Sequence, residues 1–588
     1  MGKFLLGVLT GAVLITLFGV IGFFAVASLR SRPATVADGS TLILHLKGEV
    51  PEVPPVDFNL PFLAGRNHVT VQNVWAMLRR AAVDSRIKAV ILEPEGVDIG
   101  WAKMQEIRAD LELFRKSGKP LVAYLKAPGL REYYLASACS RIYLPPSELL
   151  NVKGLGFEIM YFRNALNKLG VEVDVEHAGK YKDYGDMFTR TSMSPETKEV
   201  LNSMADGFFG DLVATIAKAR HKTEDEVKAL IDKGPFLARA AKEAGLIDDL
   251  RFEDEVFTEV AKTLHATELK KVGEHEYAGV TDASAGLKID DKIAFVAAEG
   301  TITRGSADSD GTGGIESEVF NRILARVAKD TQVKGVVVRI NSPGGEVMAS
   351  DDLWRAMNEL SRKKPVVISM SDDAASGGYY MAMSGDPIVA YPNTITGSIG
   401  VVFGKPNLRG LYDKLGVSKD SVSRGRFARI DSDYEGLDSA GRQKLREGID
   451  SEYEDFVAKV AASRHKTAAE IRPLAEGRVW LGEQAKGNGL VDELGGIDRA
   501  IEVLKSKAGI PASSKVGFVL YPGKKTLTDF LFRSSDAGAE ALAGAVLNSP
   551  MAAASGIEPW NRILRDSRMR VWMRGGMLRM MPFSISFR

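Results

Sequence analysis

The chain is 588 residues long, with 45% hydrophobic and 26% charged side chains, the composition of an ordinary globular protein with room for more than one domain. Its 77 basic and 76 acidic residues leave a net charge of +1, which supplies no global field for a polyanion, so no nucleic-acid partner is expected. The single cysteine, Cys139, excludes an intrachain disulfide and a thiolate metal cluster and reads as a small buried apolar residue.

At the N-terminus, Phe4 to Leu29 carries no charge and is bounded by Lys3 and by Arg30 and Arg32. The run is long enough to span a bilayer and predicts a transmembrane anchor within residues 1–33. A cleavable leader competes with this reading, because Ala25-Val26-Ala27 resembles a cleavage site, but the apolar stretch exceeds the ~7–15 residues of a leader core. The flanking charges balance and do not set the orientation.

Beyond the anchor the chain repeats itself. Tyr133-Tyr134-Leu135-Ala136 matches Tyr379-Tyr380-Met381-Ala382, and Lys168-Leu169-Gly170-Val171 matches Lys414-Leu415-Gly416-Val417, both at an offset of 246. Arg220-His221-Lys222-Thr223 and Gly245-Leu246-Ile247-Asp248 recur as Arg464-His465-Lys466-Thr467 and Gly489-Leu490-Val491-Asp492. Short β-branched runs such as Arg86–Leu92 and Gln332–Val338 alternate with amphipathic stretches such as Trp101–Ser117 and Ser350–Lys363, the rhythm of an α/β fold with buried parallel strands. The expected units are 39–280 and 281–510. Residues 511–588 have no evident counterpart: an apolar run, Val516–Tyr521, an alanine-rich patch, and a basic tail interleaved with apolar residues. That tail reads as a membrane-surface or subunit contact, or as a poorly ordered end.

Two segments of the second unit carry chemistry. Val336–Ile340 runs into Asn341-Ser342-Pro343-Gly344-Gly345, a turn whose backbone amides are free of side chains and suited to a developing oxyanion, although glycines also serve plain turns. Val366–Met370 leads to Ala374-Ala375-Ser376-Gly377-Gly378, where small neighbours expose a serine at a helix start; the bland role for Ser376 is a helix cap. A serine needs a base. The seven histidines offer none in a shared motif except His221 and His465, which sit at equivalent scaffold positions, so lysine is the natural candidate.

Comparison of the copies singles one out. Gly179-Lys180-Tyr181-Lys182-Asp183 lies opposite Gly425-Arg426-Phe427-Ala428-Arg429, so Lys182 faces an alanine. Conversely, the turn around Ser376 corresponds to Gly129-Leu130-Arg131-Glu132, and Ser342–Gly345 to Glu95–Ile99. Each copy keeps what the other lost, as expected of a duplicated site divided between its halves. An uncharged Lys182 requires burial, with Tyr181, Tyr184, Met187 and Phe188 as a partly apolar wall and Asp183 and Asp186 turned away.

These residues, with Thr396-Gly397-Ser398-Ile399-Gly400, resemble the signal peptide peptidase A type of membrane-bound serine protease in its long, two-repeat form. The resemblance implies tandem Clp-protease/crotonase-like domains, Ser376 as nucleophile, Lys182 as base, Ser398 positioning the lysine, and the amides of Gly344 and Gly377 as oxyanion hole. It further implies no cofactor and no metal, ATP-independent cleavage of signal-peptide fragments or other apolar peptides, and a homo-oligomeric, tetramer-like ring or bowl. The implied location is the bacterial inner membrane, held through lipid contact of the N-terminal helix, with the catalytic domains extracytoplasmic. Two other readings compete: a crotonase-like acyl-CoA hydratase or isomerase, which also uses glycine amides, and a non-catalytic membrane scaffold.

Overall fold

A computed structural model describes residues 36–53, 69–305, 314–522 and 576–581. The expected anchor, residues 1–33, lies outside them; among the described residues no helix is long and apolar enough to cross a membrane.

The first sheet has the order Asp249–Leu250, Arg141–Leu144, Leu121–Tyr124, Ile87–Val97, Ser40–Gly48, Lys270–Gly273, all pairs parallel. The second has the order Val479–Leu481, Ile395–Gly397, Val366–Ala375, Val336–Ser342, Asp291–Glu299, Val516–Tyr521. Its central strands are parallel, and Val336, Val337 and Val338 are all fully buried. Near-continuous Val/Ile runs form such strands because helices cover both faces. The Val516–Tyr521 run corrects the reading of 511–588 as wholly without counterpart. It pairs with Asp291–Glu299 as Lys270–Gly273 pairs with Ser40–Gly48, so the second sheet runs past position 510.

Buried charge joins the two repeats. Arg339, on a central strand of the second sheet, lies 3.1 Å from both Glu52 and Glu106 of the first repeat and donates to Ser369 and Ser371. Asp372 accepts from the backbone amides of Gly100 (2.9 Å) and Lys103 (2.8 Å). It thereby caps the Trp101–Arg115 helix of the opposite repeat, where Gly100 has no side chain to do so.

A third sheet is built from both repeats and from the end of the chain. Its order is Ile315–Glu316, Ile302–Thr303, Gly344–Glu346, Gly576–Met580, Val401–Asn407, Glu172–Ala178. Glu172–Ala178, from the first repeat, runs antiparallel to Val401–Asn407 with Ala178 opposite Val401. That register sets the residues just after Ala178 beside those just before Val401. The lysine-bearing turn is thereby carried to Ser398.

Candidate active site

Ser376 ends the strand Val366–Ala375 and opens the helix Gly377–Met381. Its backbone has φ +56° and ψ −113°, a region that side-chain-bearing residues rarely occupy and that costs on the order of 1–3 kcal/mol. Small neighbours make the turn possible: a Cβ at Gly378 would stand 2.6 Å from the carbonyl oxygen of Ser342, and one at Gly377 2.6 Å from Ser350 Oγ. Ser376 does not cap the helix with its side chain, so its hydroxyl is left for another partner.

That partner is Lys182. Its Nζ lies 2.7 Å from Ser376 Oγ, 2.8 Å from the Ser398 carbonyl oxygen and 2.9 Å from Ser398 Oγ, and all three residues are fully buried. Burial pushes the Lys182 amine well below its ordinary pKa; the charge of Asp183 opposes the shift, and the guanidinium of Arg579 adds to it. Asp186 is turned toward Arg190, 3.6 Å away, as expected. Asp183 is not fully turned away: it accepts from the Thr197 hydroxyl, its field still reaches Lys182, and burial pushes its own pKa up to about 7. Of the expected wall, Tyr184 and Phe188 pack with Val402, Leu578 and Met580, while Tyr181 donates to Glu199.

The turn Glu476-Gly477-Arg478, which the sequence reading passed over, clamps this arrangement. Tyr181 N donates to Glu476 O, Gly477 N to Ile399 O, and Ser398 N to Arg478 O, at 2.8, 2.8 and 2.7 Å. Gly477 has φ +75°, and a Cβ there would stand 2.6 Å from Lys182 Cβ. The sequence signal there is the glycine itself, because in the alignment that sets Gly245 opposite Gly489 the first repeat has Lys233 at its place.

The glycine pair needs one correction. The Gly344 amide donates to Ser342 Oγ at 3.2 Å and does not face the site. Gly344–Glu346 pairs antiparallel with Gly576–Met580, Gly345 lies opposite Arg579, and Met581 N donates to Pro343 O at 2.7 Å. Hydrogen-bonded pairs alternate in such a ladder, so the next one is Gly345 with Arg579, and the Gly345 amide faces the Arg579 carbonyl. Gly344 contributes by lacking a side chain: a Cβ there would stand 2.0 Å from Arg579 O and 2.7 Å from Gly377 N. The Gly345 and Gly377 amides therefore border one small volume. Part of the C-terminal segment thus lies in the site itself, against Gly344–Glu346 on one side and Val401–Asn407 on the other.

Residues 113–267 and 358–511, one stretch in each repeat, match peptidase family S49. The chain is 36% identical over 491 residues to the serine protease SPPA of Arabidopsis thaliana chloroplasts, covering 82% of this chain and 71% of that protein. It is 31% identical over 452 residues to Protease 4 of Haemophilus influenzae, covering 74% and 72%. Over 185 residues it is 35% identical to a putative signal peptide peptidase SppA of Enterococcus faecium, covering 31% and 54%. With both repeats matched and two relatives aligned over most of their length, the chain belongs to peptidase family S49 and is a serine protease.

Proposed function

We propose that the protein is an ATP-independent endopeptidase in which Ser376 is the nucleophile and Lys182, from the other repeat, the general base. The observation that carries this reading is the 2.7 Å contact between Ser376 Oγ and a fully buried amine held well below its ordinary pKa. A free lysine, with a pKa of about 10.4, is almost wholly charged at neutral pH and accepts no proton. An uncharged amine has two N–H groups and one lone pair. The carbonyl and hydroxyl oxygens of Ser398 take the two donors, which aims the lone pair at Ser376 and makes Ser398 a positioning residue.

Attack of Ser376 Oγ on a peptide carbonyl passes the hydroxyl proton to Lys182 Nζ and leaves an oxyanion. The amides of Gly345 and Gly377 stabilise it, each donor contributing about 2.7–4 kcal/mol. Collapse breaks the C–N bond as Lys182 protonates the leaving amine, and water then hydrolyses the acyl-enzyme with Lys182 again as base. A Clp-protease/crotonase-like fold for each repeat is part of the same reading, supported by the buried parallel sheets and the glycine turn that ends Val336–Ser342.

The substrates proposed are signal-peptide fragments and other short apolar peptides. The protein would work as a homo-oligomer held at the membrane by residues 1–33, with both repeats outside the cytoplasm. An acyl-CoA hydratase has no use for an uncharged lysine on a strained serine, and a scaffold has no need to bury one. Hydrolysis of quenched-fluorescent apolar peptides by the purified protein, without nucleotide, is expected and should disappear in Ser376→Ala and Lys182→Ala. Cleavage that persists in either folded variant would refute the dyad.

A further inference from the structure

The strand Gly576–Met580 runs extended between Gly344–Glu346 and Val401–Asn407 beside the dyad, and its Arg579 is placed unlike any solvent-facing arginine. The Arg579 side chain is fully buried. Its Cζ lies 3.7 Å from the centroid of the Tyr380 ring and 5.3 Å from that of Phe456. Nη2 donates to Glu452 at 3.0 Å and lies 3.9 Å from Asp455, Nη1 donates to the Val347 carbonyl at 3.3 Å, and Nε has no partner. Tyr380 is itself fixed by Asp351 (2.7 Å) and Asp455 (3.0 Å), whose charges Lys459 offsets at 2.6 and 2.8 Å. Glu452 is then the acidic group left for an incoming cation. An aromatic face, a backbone carbonyl and a carboxylate converging on one buried slot make a guanidinium pocket.

The carbonyl of this same residue is the one that faces Gly345 and Gly377, the proposed oxyanion donors. Its neighbours Leu578 and Met580 are buried on the other face of the strand, against Tyr184, Phe188 and Val402.

We propose that the groove selects peptides with arginine at the residue whose carbonyl is attacked, flanked by apolar residues, and that the chain's own Arg579 segment occupies the groove as a competing ligand. The proposal rests on the Ser376–Lys182 reading and deepens it. It narrows the substrate class to peptides in which a basic residue adjoins an apolar run, the chemistry of the junction between the charged start and the apolar core of a secretory leader. Arginine in this pocket also adds to the depression of the Lys182 pKa, so a fitting substrate helps to keep its own base uncharged.

The test uses the full-length protein and matched peptides that carry Arg, Leu or Glu before the scissile bond. The Arg peptide should have the highest kcat/KM, at least about tenfold above Leu. Glu452→Gln should lower the ratio of kcat/KM for the Arg peptide over the Leu peptide about tenfold, because it weakens the Arg substrate and releases the competing Arg579 segment together. Arg579→Ala should lower KM for the Arg peptide without changing kcat, because a competitor has been removed. Leu cleaved as well as Arg, or an unchanged KM in Arg579→Ala, would overturn the proposal. Labelling of Ser376 by a fluorophosphonate in the same preparation separates the two failures. A labelled enzyme without arginine preference refutes this inference alone, and one that neither labels nor cleaves refutes the dyad as well.

Discussion

The two repeats keep the same scaffold bonds and differ where chemistry is done. Tyr133 donates to the Leu246 carbonyl at 2.7 Å and Tyr379 to that of Leu490 at 2.9 Å. Asp248 accepts from Ile142 N, and Asp492 from Ile388 N, at 2.7 and 2.8 Å. His221 and His465 both have φ +52°, and each precedes a helix opened by a capping box, Thr223 with Glu226 and Thr467 with Glu470. At the catalytic turn the copies part. Where the second repeat has Gly378, the first has Glu132, whose carboxylate accepts from Val97 N (2.7 Å) and Gly129 N (2.9 Å). A carboxylate of the first repeat thus stands where the second repeat has no side chain. The aromatic face is treated in the same way: the guanidinium near Tyr134 is that of Arg108, at 5.8 Å, from a neighbouring helix, while Tyr380 is met by the C-terminal strand. Decay of a site therefore shows as replacement of the ligand by the protein's own side chains.

The comparison is broken most severely at the dyad. Ser376→Ala or Lys182→Met should lower kcat/KM by roughly 10⁶-fold, whereas no substitution at Leu130 or Ala428, the equivalent positions, should approach that loss. Steady-state kinetics on folded variants checks this. Next in size is the joint between the repeats. Arg339→Met leaves Glu52 and Glu106 buried without their partner and should destabilise the protein by about 3–5 kcal/mol in denaturant unfolding.

Gly477→Ala forces a side chain onto Lys182 at a positive φ and should reduce kcat about 10²-fold with the fold retained. Glu132→Ala unpairs two amides in the first repeat, costing about 1–3 kcal/mol while sparing kcat. The smallest effect is at His45, held between Glu93 (3.1 Å) and Glu274 (3.0 Å) with its pKa raised to about 10, chiefly by the hydrogen bond to Glu274. A raised pKa stabilises fully below the unfolded value of about 6.5. The contribution fades as pH rises toward 10, so His45→Gln should lower the Tm slightly at pH 6 and not at pH 10. Solvent exposure of His45 keeps this difference small.

The repeat, the parallel sheets and the pair Ser376 and Lys182 could be singled out because duplication supplies its own alignment: a residue lost in one copy and kept in the other stands out against the shared scaffold, whereas Ser398 rested on the family resemblance alone. Which glycine amide faces the site was not legible. Gly344 and Gly345 are identical in sequence, and only the parity of the ladder with Arg579 distinguishes them. The strand Gly576–Met580 was hidden for another reason. Five residues carry too little periodicity to announce a strand, and its pairing partners lie far off in the chain, so burial in the groove determines it and local propensity does not. The field of Asp183 on Lys182 was misjudged because the Thr197 hydroxyl holds that carboxylate inside, against the expectation that it would turn to solvent.

The account depends on an amine from one repeat being uncharged beside an alcohol from the other. The pH dependence of fluorophosphonate labelling, with the adduct mapped by mass spectrometry, tests this most directly. The expected result is a single adduct at Ser376 whose rate rises with pH through a midpoint well below the ordinary lysine value of about 10.4, and no labelling in Lys182→Met. An adduct at another serine, or a midpoint at the ordinary lysine value, would contradict it.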